Sequence, residues 1–127
     1  MRPVRVLIID DSATMRKIIG FALASNPAIE VVGEAPDPTE AFRLVDSLDP
    51  DVITLDIEMP KMNGIDFLRR VMKHRPRPVI MVSTLTVNGA AVTIEALALG
   101  AFDCVAKPSL KDDRSFRDLV EKVIAAG

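Results

Sequence analysis

Val4-Arg5-Val6-Leu7-Ile8-Ile9-Asp10-Asp11-Ser12 is the stretch on which the fold turns. Val4 to Ile9 is apolar apart from Arg5 and rich in β-branched side chains, the composition of a strand covered on both faces. Asp10 and Asp11 close it. Ser12 is a residue type that caps helices, and beyond it Met15, Ile18, Ile19, Ala22 and Leu23 recur at helical spacing until Asn26 and Pro27 stop the pattern. A strand covered on both faces, followed at once by an amphipathic helix, is the beginning of a parallel α/β sheet.

Moving outward, the same unit recurs. Ile29 to Gly33 forms a second strand; Asp37 then supplies an N-cap with Pro38 at the first helical position, and Ala41, Leu44, Val45 and Leu48 give the second helix its apolar stripe. Val52 to Leu55 is a third strand ending at Asp56. The loop after it, Ile57 to Asn63, carries turn signals at Met59-Pro60 and Asn63-Gly64, and a third helix runs from Gly64 to His74. Pro78 to Val82 is the most apolar strand. Gly89 to Leu99 is an alanine-rich helix ended by Gly100, and Phe102 to Ala106 is a fifth strand stopped by Pro108. The last helix shows Phe116, Leu119, Val120, Val123 and Ile124 at the i, i+3, i+4, i+7, i+8 positions. Strict alternation of five strands with five helices predicts a (βα)5 doubly wound sheet with helices on both faces, because right-handed crossovers lay each helix over the sheet.

With 127 residues, 49% of them hydrophobic and 27% charged, the chain has the size and composition of one globular domain spanning residues 1–127. A net charge of −2 offers no field to draw in a polyanion, so nucleic acid is not an expected partner. The apolar runs are of strand length, far short of the roughly 18 residues of a membrane span, and there is no leader-like apolar segment at the start. No membrane association is expected, and a cytoplasmic location is. The single cysteine, Cys104, has no partner within the chain and sits in an apolar run, as a small buried hydrophobe would.

In a parallel sheet of this kind, chemistry collects beyond the carboxyl ends of the strands, near the point where strand order reverses. Asp10, Asp11, Asp56, Ser83, Thr84 and Lys107 all fall there. Any one aspartate reads most simply as a helix cap. Three on one edge repel one another without a compensating cation, and their hard oxygens suit Mg²⁺, which commonly bridges carboxylate and phosphate. Lys107 reaches the same edge as a point charge for an anion, and Ser83 and Thr84 offer hydroxyls.

Taken together, Ile8-Ile9-Asp10-Asp11-Ser12, Leu55-Asp56-Ile57-Glu58-Met59-Pro60 with Asn63-Gly64, Met81-Val82-Ser83, and Lys107-Pro108 resemble the response-regulator receiver domains, in order and in spacing along the whole chain. The stretches Asp56 to Pro60, Pro78 to Thr86 and Ala96 to Asp103 are more particularly similar to the regulatory domain of chemotaxis protein-glutamate methylesterases. The resemblance implies the flavodoxin-like strand order 2-1-3-4-5. It also implies that Asp56 accepts a phosphoryl group from a histidine kinase, of chemotaxis type. Mg²⁺ would be held by Asp10, Asp11, Asp56 and the backbone carbonyl of Glu58, while Lys107 and Ser83 serve the phosphoryl oxygens. The domain itself would only accept and slowly hydrolyse its phosphoryl group. Its output would be a C-terminal methylesterase domain beyond Gly127 or a separate effector. Cys104 stands where the family usually has Tyr or Phe and is too small for a ring flip, so the signal is expected to run through Thr84 to Asn88 and the fourth helix.

Other readings compete. A haloacid-dehalogenase-like phosphatase needs a second carboxylate two residues after Asp10, where Ser12 stands. No glycine-rich nucleotide loop and no Gly-x-Ser-x-Gly elbow occurs. A free-standing receiver docking on a kinase or motor, and the receiver of a DNA-binding regulator, share the chemistry at Asp56. The basic run Arg69, Arg70, Lys73, His74, Arg75 and Arg77 reads as a solvated helix end whose cations complement the helix dipole.

Overall fold

The computed structural model describes residues 2–59, 64–84 and 87–127, with backbone only at 87–90 and 92. The chain alternates strictly: β1 (Val4–Ile9), α1 (Ala13–Ala24), β2 (Ile29–Ala35), α2 (Pro38–Leu48), β3 (Val52–Asp56), α3 (Gly64–His74), β4 (Val79–Ser83), α4 (Val87–Ala98), β5 (Asp103–Ala106) and α5 (Asp113–Ala126). The strands are parallel in the order β2-β1-β3-β4-β5. The expected loop Ile57 to Asn63 and its two turn pairs fall partly outside the described residues, as does the segment Thr84 to Asn88.

Helix starts follow the expected chemistry. Ser12 Oγ accepts from Met15 N at 3.1 Å, and an Asp37 side-chain oxygen accepts from Glu40 N at 2.9 Å with Pro38 in the first helical position. Each removes one unpaired N–H from a helix end. Gly100, at φ +108°, ends α4 in the left-handed region that glycine enters without steric cost. Strand edges moved by one or two residues: β2 runs on to Ala35, β4 takes in Ser83, and α4 begins at Val87.

Period-two alternation sorts the strand side chains into two apolar layers. Leu7, Ile9, Ile53, Leu55, Val79 and Met81 point toward α2, α3 and α4, where they meet Val45, Phe67, Leu68, Val71 and Ala96. Val6, Ile8, Val52, Ile80, Val82 and Val105 point the other way and are covered by Ile19 and Leu23 of α1 and Leu119 and Val123 of α5. Burial of each large aliphatic side chain contributes about 1.5–3 kcal/mol. The stripe of α5 is narrower than its spacing suggests. Leu119 and Val123 reach the sheet, whereas Ile124 is left 39% exposed beside Phe21 of α1, because α1 and α5 share one face and part to leave a groove between them.

The amino ends of the central strands are tied by charge. Asp51 accepts from the Arg5 backbone at 2.9 Å and from Arg2 at 2.7 Å; Arg77, its side chain only 9% exposed, donates to Asp49 and to the Pro50 carbonyl. Part of the basic run is therefore structural, while Lys73 and His74 close the last turn of α3.

Candidate functional site

β1 and β3 are neighbours, and the chain leaves them in opposite directions, to β2 on one side and β4 on the other. Their carboxyl ends therefore face a crevice that no crossover covers. β1 delivers Asp10 and Asp11 to it, β3 delivers Asp56, β4 delivers Ser83, and Lys107 follows β5. The structure brings these five together.

Asp10 and Asp56 are buried and Asp11 is exposed, and one carboxylate oxygen from each lies within 4.8 Å of the others. Asp10 Oδ1 accepts from Ser12 N at 2.9 Å. Asp56 Oδ1 accepts from Glu58 N at 3.0 Å and faces Lys107 Nζ at 3.3 Å. The second oxygen of each buried aspartate, Asp10 Oδ2 and Asp56 Oδ2, has no hydrogen-bond partner. Buried carboxylate oxygens left unpaired are costly. Burial pushes the Asp10 carboxyl up to about 6, with the Asp56 and Asp11 charges adding to the rise and the Ser12 amide and Lys107 opposing it. Burial also raises Asp56, against the Glu58 amide and Lys107. Among the described residues one ammonium thus stands beside three carboxylates, and the two orphaned oxygens are placed to ligate a cation. Hard carboxylate oxygens with room for water are the donor set that suits Mg²⁺.

The backbone around the site is held closely. Gly64 N donates to the Ile57 carbonyl, and a Cβ on Gly64 would stand 2.7 Å from the Asp56 carbonyl oxygen and 2.9 Å from Ile57 Cα. Only glycine allows this approach. Lys107 N donates to the Ser83 carbonyl at 2.9 Å, coupling the two residues that close the far side of the crevice.

Two features escaped the sequence reading. Arg16, one turn into α1, donates to the Asp10 carbonyl at 2.7 Å and pairs with Glu34 at 3.2 Å, pinning the turn that carries the acidic pair. The signal was there, a cation one helical turn beyond Ser12. The side chain of Glu58 accepts from Thr84 Oγ1 at 2.7 Å, joining the loops after β3 and β4.

A family model for the response regulator receiver domain matches residues 6–121. Protein-glutamate methylesterase/protein-glutamine glutaminase 1 of Rhizobium johnstonii is 57% identical over 124 residues, 98% of this chain and 36% of that protein. The crystal structure of the response regulator domain of Thermotoga maritima CheB has a TM-score of 0.89 at 49% identity, covering 98% of this chain and 96% of that one. A CheX-CheY-BeF3-Mg²⁺ complex from Borrelia burgdorferi has a TM-score of 0.81 at 30% identity, covering 98% and 89%. The chain belongs to the response-regulator receiver family, the phosphorelay modules of two-component signalling, and its fold is the flavodoxin-like 2-1-3-4-5 sheet of that family. Within the family it is homologous to the receiver domains of chemotaxis methylesterases, and it spans about a third of the length of the relatives it matches. Among the described residues, no helix is long and apolar enough to cross a membrane.

Proposed function

We propose that residues 1–127 act as one receiver unit in which Asp56 accepts a phosphoryl group from a phosphohistidine of a chemotaxis-type histidine kinase, switching a methylesterase output domain. The observation that carries this reading is the convergence of three carboxylates within 4.8 Å, two of them with an unpartnered buried oxygen, beside one lysine ammonium.

Asp10, Asp11, Asp56 and the Glu58 carbonyl would hold Mg²⁺. When bound, the ion supplies positive charge to the transferring phosphoryl oxygens. An Asp56 carboxylate oxygen attacks phosphorus; the P–N bond of the phosphohistidine breaks, the imidazole leaves with its electron pair and takes a proton, and the new P–O bond makes an acyl phosphate. The Lys107 ammonium, already 3.3 Å from Asp56, neutralises the charge that arrives. Ser83 then turns its hydroxyl toward the phosphoryl group, and α4 and β5 repack in response. Exposed Ile94 and Leu97 on α4, Phe102 before β5 and Leu110 after it supply an apolar surface on this side for an output domain to cover.

The test is labelling with a small phosphodonor or a cognate kinase in the presence of Mg²⁺. One acyl phosphate, labile to base and hydroxylamine, is expected on the wild type and none on Asp56→Asn. Wild-type labelling of the variant overturns the assignment.

A further inference from the structure

We infer that the Glu58 side chain and Thr84 form a latch across the mouth of the site, made in the resting state and broken when Ser83 closes on a phosphoryl group. This rests on the phosphoacceptor reading above and adds to it two positioning residues that act through Ser83.

The Glu58 backbone is fixed against the site, since its N–H donates to Asp56 Oδ1. Its side chain turns the other way and crosses to the next loop, where Thr84 Oγ1 donates to Glu58 Oε1 at 2.7 Å. Ser83 is buried and Thr84 exposed, as successive residues at a strand end should be. The Ser83 carbonyl is held by Lys107 N, so the segment cannot slide along β4 as a unit. Where closure of the Ser83 hydroxyl on Asp56 turns the backbone at Ser83 and Thr84 as well as χ1 of Ser83, it carries the Thr84 side chain with it. A hydrogen bond of 2.7 Å does not survive a displacement of an ångström. An interaction made in one state only stabilises that state, so its removal tightens any ligand that selects the other.

The experiment measures beryllofluoride affinity in saturating Mg²⁺ by fluorine NMR on the whole chain, because the protein has no tryptophan or tyrosine to report binding by emission. Thr84→Val removes the donor at constant shape and is expected to tighten beryllofluoride about threefold, the scale of one exposed hydrogen bond. The affinity for Mg²⁺ alone stays at the wild-type value. Thr84→Ser, which keeps the hydroxyl, returns to wild type. In a double-mutant cycle with Glu58→Ala, Thr84→Val has no further effect, because its partner is already gone. Thr84→Val with unchanged beryllofluoride affinity, or tightening of equal size in the Glu58→Ala background, overturns the latch while leaving the phosphoacceptor reading intact. A wild type that takes up no beryllofluoride overturns both.

Discussion

Asp10 sets the electrostatics of the crevice. Burial raises its carboxyl to about 6 and raises Asp56 as well, whereas in the unfolded chain an aspartate titrates near about 3.9. Between those values the folded protein binds more protons than the unfolded chain, so stability falls as pH rises from about 4 to about 6. A cation binds the ionised carboxylates and competes with those protons. Mg²⁺ should therefore raise the melting temperature little at about pH 5 and much more at about pH 7.5, and Asp11→Ala should remove most of the gain. An equal Mg²⁺ shift at both pH values would contradict this coupling. At this scale the sequence was informative wherever a residue type sits at a strand end, because topology alone brings such residues together. Arg16 and the Glu58–Thr84 pair were not read. Both depend on where a long or exposed side chain points, which strand and helix periodicity do not encode.

At the level of elements, the turn from β3 into α3 is the most constrained piece of backbone at the site. Gly64 faces the Asp56 carbonyl and Ile57 Cα at distances no Cβ tolerates, and both obstacles are backbone that cannot swing aside. Gly64→Ala should destabilise the fold by about 1–3 kcal/mol in urea denaturation, as overpacking does, and weaken Mg²⁺ binding with it. Full stability and full Mg²⁺ affinity in that variant would show that the loop yields. The expected spacing of α5 was correct in period and too wide in burial. A helical pattern counts every apolar residue on a face, but a neighbour such as α1 takes up only part of it, so Ile124 stays at 39% exposure. Cys104 is half-buried on the edge strand, packed against the α2–α4 layer. Burial raises its thiol pKa, against the opposing hydrogen bond with Thr93 of α4. A small thiol there ties β5 to α4 directly.

Across the whole molecule, the alternation of strand and helix was legible from hydrophobic runs, whereas strand order came from family resemblance, since parallel pairing is set by crossovers that local sequence does not record. The β2-β1-β3-β4-β5 order puts Asp56 at the centre and β5 at the rim, so a change at the first must cross β4 to reach the exposed apolar residues around the second. Beryllofluoride with Mg²⁺ should accordingly shift backbone amide resonances at Ser83, Thr84, Cys104 and along α4 through Leu97, beyond the shell around Asp56. Shifts confined to Asp10, Asp11, Asp56 and Lys107 would reject that route. The opposite end of the sheet lies outside this circuit. Arg2 and Arg5 on Asp51, and the nearly buried Arg77 on Asp49 and Pro50, fasten the strands a full strand length from the crevice. Substitutions at sites so far apart act additively. The domain can accordingly drift around its central crevice, retuning how long a signal lasts, while its foundations stay put; inheritance can adjust the timing of the module without rebuilding it.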